Sequence, residues 1–126
     1  MPYWMPPLTT PRAVNVFFDV QGTLISGGEP RPHVREAILE LAEMGHHPYL
    51  WSSAGSGYAR AAAQSLGIED LVFGCFGKSG PLPVTVDFVV DDQPDFAESH
   101  SGYAIPPFNG DPSDDELWKV VETLRR

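Results

Sequence analysis

Asp19 closes the apolar run 14–18, and Gly22-Thr23-Leu24 follows after two intervening residues. A β-type run that delivers one acid into a glycine-containing turn puts a carboxylate at the carboxyl end of a strand. Open α/β sheets bind their ligands there. Three more polar groups close later apolar runs: Ser52 and Ser53 after Tyr49-Leu50-Trp51, Lys78 after the run 71–77, and Asp91 with Asp92 after Phe88-Val89-Val90. Together they make an oxygen nucleophile, a small hydroxyl, a cation and an acid pair. Carboxylates act as nucleophiles when they form an acyl phosphate that water later hydrolyses. Adjacent carboxylates repel each other unless a cation compensates, and magnesium accepts one or two carboxylates together with a carbonyl, waters and a phosphate oxygen. Taken singly, each position has an ordinary reading: Asp19 as an acid capping a turn, Asp91-Asp92 as a solvated acidic turn, Lys78 as a loop charge. As an ordered set they point to phosphoryl chemistry.

The elements that must position these groups alternate between strand and helix. The run 14–18 reads as a first strand, apolar almost throughout, as a strand covered on both faces should be. A Gly/Pro loop over 26–32 leads to Val34, Ala37, Ile38, Leu41 and Ala42 at helical spacing, with Gly45 as the stop. A second strand is expected over 48–51. Ser56 then caps a helix with Tyr58, Ala59, Ala62, Ala63 and Leu66 on its inner face, stopped by Gly67. Strands follow over 71–76 and 85–90, and a short edge strand over 102–105 ends at Pro106-Pro107. Ser113-Asp114-Asp115-Glu116 has the form of a capping box for a last helix with Leu117, Val120, Val121 and Leu124 inward; Arg125 and Arg126 suit the negative end of its dipole. Strand–helix alternation implies a mostly parallel five-stranded sheet, covered on both sides in a three-layer Rossmann-like sandwich. Right-handed crossovers then bring the carboxyl ends of the strands, and Asp19, Ser52, Lys78 and Asp91 with them, to one rim. Neither 24–33 nor 77–83 has room for an inserted cap domain.

At 126 residues the chain is read as one domain over 13–126, preceded by a proline-rich arm over 1–12. Such a chain buries about two thirds of its unfolded surface. Four prolines between Met1 and Pro11 make the arm extended, with Tyr3 and Trp4 free to dock on the body or a second subunit, or to stay loose. No stretch approaches the about 20 apolar residues of a membrane span, and no secretory leader is visible at Met1-Pro2-Tyr3-Trp4. The lone Cys75 excludes an internal disulfide and a cysteine zinc cluster, and reads as a small buried hydrophobe. The expectation is a cytoplasmic protein. Seventeen acids against eight bases, a formal charge of −9, argue against nucleic acid and anionic membranes as partners. His46 and His47 read as a surface turn, His33 as a residue near the rim with a substrate within reach, and His100 as a loop residue. Asp87 and Asp95 are weaker acid candidates than Asp19, Asp91 and Asp92.

In their order and setting, Asp19 with Gly22-Thr23-Leu24, then Ser52, Lys78 and Asp91-Asp92, resemble the haloacid dehalogenase-like superfamily of phosphohydrolases, in its capless form, over nearly all of the chain after Ala13. The resemblance implies that Asp19 is the nucleophile, that Asp19, the backbone carbonyl of Gln21 and Asp91 bind Mg²⁺ directly, and that Asp92 acts through water or orients its loop. It gives Ser52, with Ser53 as its neighbour, the role of donor to the phosphoryl group, and Lys78 that of neutralising the nucleophile and phosphate. The departure is Gln21. The superfamily's phosphatases carry a second Asp there as general acid and base, and Gln cannot exchange a proton at neutral pH. A slow, Mg²⁺-dependent phosphatase working through an aspartyl-phosphate is therefore implied, with a phosphorylated small molecule or phosphoprotein as partner. A module that binds a protein partner without catalysis is the alternative. Without a cap, the rim stays open unless the arm or the second subunit of a homodimer covers it.

Overall fold

The computed structural model describes residues 13–125. The arm, and the docking expected of Tyr3 and Trp4, lie outside the described residues. The elements are β1 (Asn15–Asp19), β2 (Ile25–Ser26), β3 (Glu29–Pro30), α1 (Val34–Glu43), β4 (His47–Ser52), α2 (Ser56–Ser65), β5 (Cys75–Gly77), β6 (Phe88–Asp91), α3 (Pro94–Ser99), β7 (Gly102–Ala104) and α4 (Glu116–Leu124). Five strands pair in the order β5-β4-β1-β6-β7, and every pairing is parallel. The fold is α/β and Rossmann-like, with helices on both faces of the sheet and no cap domain among the described residues.

Alternation along the strands splits the core in two. Val16, Phe18, Leu50 and Val90 point to one face and pack under Ile38 and Leu41 of α1, Ala59 and Ala63 of α2, and Leu117 and Val121 of α4. Phe17, Tyr49, Trp51 and Val89 point to the other, where Phe96 of α3 and Leu82, Val84 and Val86 of the β5–β6 connection cover them. Phe17 stacks on Tyr49 with ring centroids 4.8 Å apart and an interplanar angle of 9°. Burying side chains of this size contributes roughly 1.5–3 kcal/mol each. The central strand β1, apolar on both faces, is thereby held rigidly with Asp19 at its tip.

Several local expectations are corrected. The loop 26–32 contains a hairpin: Ile25 and Ser26 pair with Pro30 and Glu29 across Gly27-Gly28. Both glycines have positive φ, as a two-residue turn of this kind requires. The strand expected over 71–76 shrinks to Cys75–Gly77, because Leu71 and Val72 donate back to the Ile68 carbonyl and finish the α2 exit instead. The strand expected over 85–90 starts at Phe88; upstream, Asn15 uses its side chain on the Thr85 carbonyl and its backbone N–H on Asp87. α3 is a helix that the residue spacing does not predict; it opens with Pro94, a residue suited to a first turn. The capping box does not form. Asp111 takes the Ser113 hydroxyl and N–H, α4 starts at Glu116, and the Glu116 carboxylate binds Tyr103 and Lys119. α2 likewise starts after Gly55, with Ser56 inside the helix, and Tyr58 faces outward at 38% exposure rather than inward. The stops at Gly45 and Gly67 stand, both with left-handed φ, and β7 is the sheet edge anticipated.

Candidate functional site

Parallel pairing aligns the strand tips. Asp19 lies opposite Trp51, Ser52 opposite Gly77, and Asp91 opposite Ala104. Lys78 follows β5 directly, and its backbone N–H is held by the Ser52 carbonyl at 3.0 Å. Its ammonium reaches across the tip of β1, 3.0 Å from Asp19 Oδ1 and 2.8 Å from Asp91 Oδ2. The same ammonium sits 4.7 Å from the centre of the Phe96 ring and 5.9 Å from that of Trp51, so the lysine is packed as well as paired.

Each acid has further partners. Thr23 donates its hydroxyl to Asp19 Oδ2 at 3.2 Å, and the Gln93 N–H donates to Asp91 Oδ1 at 2.9 Å. Asp92 stands over Gly22, whose φ is +86°; a Cβ at Gly22 would run into its carboxylate. Glycine is thus required there twice, for conformation and for close approach. Asp19, Asp91 and Asp92 each offer a carboxylate oxygen, all within 4.8 Å of one another. Burial pushes the Asp19 carboxyl up to about 6, against the opposing pull of Lys78, and the Asp91 charge adds to the rise. Burial alone would lower the Lys78 pKa, but its hydrogen bonds to Asp91 and Asp19 outweigh this and raise it. Asp19 and Asp91 therefore share one lysine, with Asp92 as a third acid beside them. An all-oxygen donor set with an uncompensated acid is the chemistry of a hard divalent cation such as Mg²⁺, and these residues fit it.

The site opens into a cavity of about 630 Å³ lined by Asp19, Gln21, Ser52, Ser53, Lys78 and Asp92 among others. Six of the seven residues singled out from sequence thus line one space, and Asp91 reaches it through Lys78. Ser52 is buried and its oxygen accepts the Ala54 N–H at 3.0 Å, leaving its own O–H to donate; Ser53 is exposed. Gln21 is exposed, and its Oε1 accepts a hydrogen bond from the Tyr58 hydroxyl at 3.0 Å.

The other candidates lie elsewhere. His33 caps α1 in a left-handed conformation beside Trp118 and lines a separate cavity of about 320 Å³, away from the rim tips. His46 is buried rather than on a surface turn, its Nδ1 accepting the Val14 N–H, while His47 pairs with Asn15. The two histidines thus have separate partners. His100 ends α3 and packs on Phe96 and Trp51. Asp87 accepts from Asn15 at the amino end of the sheet, and Asp95 is exposed in the first turn of α3. Cys75 is buried in β5 as anticipated, and burial raises its thiol pKa.

Sequence reasoning missed three contributors. Tyr58 has the spacing of the inward face that Ala59 and Ala62 form, yet it turns outward. Phe96 carried no signal, being a single aromatic in an acidic stretch. Arg31, in the loop before α1, is fully buried and binds the Thr23 carbonyl at 2.9 Å, the Pro106 carbonyl, and Asp114 at 3.1 Å. It braces from behind the turn that carries Thr23. No family model matches the chain, and no curated protein matches it significantly. Among the described residues, no helix is long and apolar enough to cross a membrane.

Proposed function

We propose that the chain is a Mg²⁺-dependent phosphoryl-transfer enzyme of the haloacid dehalogenase-like type, a slow phosphatase acting through an aspartyl-phosphate on Asp19. The observation that carries this reading is the convergence of three carboxylates within 4.8 Å, with Lys78 bridging two of them in an open cavity. Asp19, Asp91, Asp92 and the Gln21 backbone carbonyl are the groups that would hold Mg²⁺, which supplies charge neutralisation for the phosphoryl oxygens when bound. Lys78 holds the Asp19 carboxylate and takes up negative charge on the phosphoryl group. Ser52 and Ser53 supply donors from the far wall. An Asp19 oxygen attacks phosphorus, the bond to the leaving oxygen breaks, and water later hydrolyses the acyl phosphate. The partner is a phosphorylated small molecule or a phosphoprotein, since no cap among the described residues narrows the mouth. A cytoplasmic setting belongs to this reading, supported by the single unpaired Cys75.

One observation favours the alternative of a partner-binding module. Gln21 carries no transferable proton, and general acid–base catalysis is worth roughly 10²–10⁴-fold. Turnover of aryl phosphates with and without Mg²⁺ separates the two. The enzyme reading expects metal-dependent turnover that disappears in Asp19→Asn. Turnover that survives this substitution, or none in the wild type, would sink it.

A further inference from the structure

We propose that Tyr58 is a positioning residue for the leaving-group side of this site, turning the Gln21 amide so that its NH₂, not its carbonyl, faces the departing oxygen. The inference rests on the phosphoryl-transfer reading above. Tyr58 lies in the first turn of α2 but does not pack inward with Ala59 and Ala62; it is 38% exposed. Its hydroxyl donates to Gln21 Oε1 at 3.0 Å, bridging 37 residues of chain. Gln21 in turn lines the cavity that contains Asp19 and Lys78.

A planar side-chain amide has one accepting end and one donating end. With Oε1 engaged by a hydroxyl, the NH₂ is the end left for the cavity. Among the described residues, no hydrogen bond uses Nε2. Gln21 therefore presents N–H donors two residues beyond the nucleophile, on a group that cannot release a proton. Such a donor stabilises negative charge as it develops, without neutralising it. In the transfer step an Asp19 oxygen bonds to phosphorus while the bond from phosphorus to the leaving oxygen breaks. The electron pair goes to that oxygen, which departs as an anion hydrogen-bonded by Gln21 Nε2–H. The substrate class follows: aryl and acyl phosphates, whose leaving oxygens are stable as anions, rather than alkyl phosphates.

The test is a cycle of four proteins: wild type, Tyr58→Phe, Gln21→Ala and the double variant. Each is assayed on p-nitrophenyl phosphate with saturating Mg²⁺. The Gln21 side-chain NH₂ resonance, assigned by its loss in Gln21→Ala, is followed in ¹⁵N-labelled protein. Tyr58→Phe is expected to lower kcat by about threefold to tenfold, the effect of one hydrogen bond, with KM little changed. It should also shift the Gln21 NH₂ resonance. In the Gln21→Ala background, Tyr58→Phe should add no further loss. An equal loss in both backgrounds overturns the inference, because Tyr58 would then act independently of Gln21. So does an NH₂ resonance that stays in place, or wild-type turnover indifferent to Tyr58→Phe. Complete absence of wild-type turnover is a different result: it overturns the phosphoryl-transfer reading and this inference with it.

Discussion

Two cations are drawn into the body of this protein, and their surroundings differ. Arg31 has a side chain with no exposure, and its partners are two carbonyls and one carboxylate, with the Phe108 ring 5.5 Å away. Lys78 keeps 18% exposure and stands among three acids at the edge of a cavity. Around Arg31 one charge meets one charge, and two neutral carbonyls accept hydrogen bonds from its terminal nitrogens. Around Lys78 negative charge is in excess. A charge-balanced, sealed cluster offers no place for an ion and serves as a brace; an unbalanced, open one is suited to taking up a cation and an anion together.

The largest effect should come from breaking the sealed cluster. Arg31→Met leaves the Asp114 carboxylate without its cation and two carbonyls without their donor, and removal of one member of a buried pair costs about 3–5 kcal/mol. Denaturant melts should show that loss, whereas Lys78→Met, in saturating Mg²⁺, should lose less stability while abolishing vanadate or beryllium fluoride binding. Similar stability losses, or intact anion binding in Lys78→Met, would remove the distinction between the two sites.

Next in size is the response to metal. An ion that binds only the folded chain adds about 2.7 kcal/mol at one hundred times its Kd. Millimolar Mg²⁺ should therefore raise the Tm of the wild type and of Arg31 variants that still fold, but not that of Asp91→Ala. A wild-type Tm that ignores Mg²⁺ would leave the acid cluster without its cation.

In chelator, the charge excess should be visible as pH dependence. Burial raises the Asp19 carboxyl from 3.8 to about 6 in the folded state. Between these values the folded chain keeps a proton that the unfolded chain has released. Stability from this group therefore falls as pH rises through that window. Asp19→Asn should gain on the wild type in Tm from pH 4 to pH 7 and then hold level. A difference that stays constant across that range would mean that Lys78 alone balances the acids.

The smallest effect sharpens the chemistry of the open site. Gln21→Asp places a carboxyl group beside the leaving oxygen and should raise alkyl phosphate turnover by at least about tenfold, within the range of general acid–base catalysis. A variant no faster than wild type would mean that another group already supplies the proton.

Much of this site could be read before folding was considered. Asp19, Ser52, Lys78 and Asp91 each follow an apolar run, and parallel strands joined by crossovers must bring such tips together; in the folded chain Asp19, Ser52 and Lys78 line one cavity, and Lys78 pairs with Asp19 and Asp91. The hairpin over 25–30 and the short α3 escape a sequence reading because two to six residues are too few to display a period. His46 was misplaced at the surface for another reason. Its burial depends on Val14 and on the end of α4, the latter 78 residues away.

The chain by itself determined the order of the five sheet strands and of α1, α2 and α4, the apolar β1 and the acid at its tip, because these depend on local periodicity and on the geometry of parallel sheets. Tertiary structure alone decided which polar group meets which. The Ser113 hydroxyl went to Asp111 instead of capping α4, Tyr58 turned outward to Gln21, and Arg31 was buried behind Thr23. Hydrogen bonds and ion pairs are short-ranged and compete among many partners of similar strength, so their outcome depends on positions that exist only once the sheet has formed.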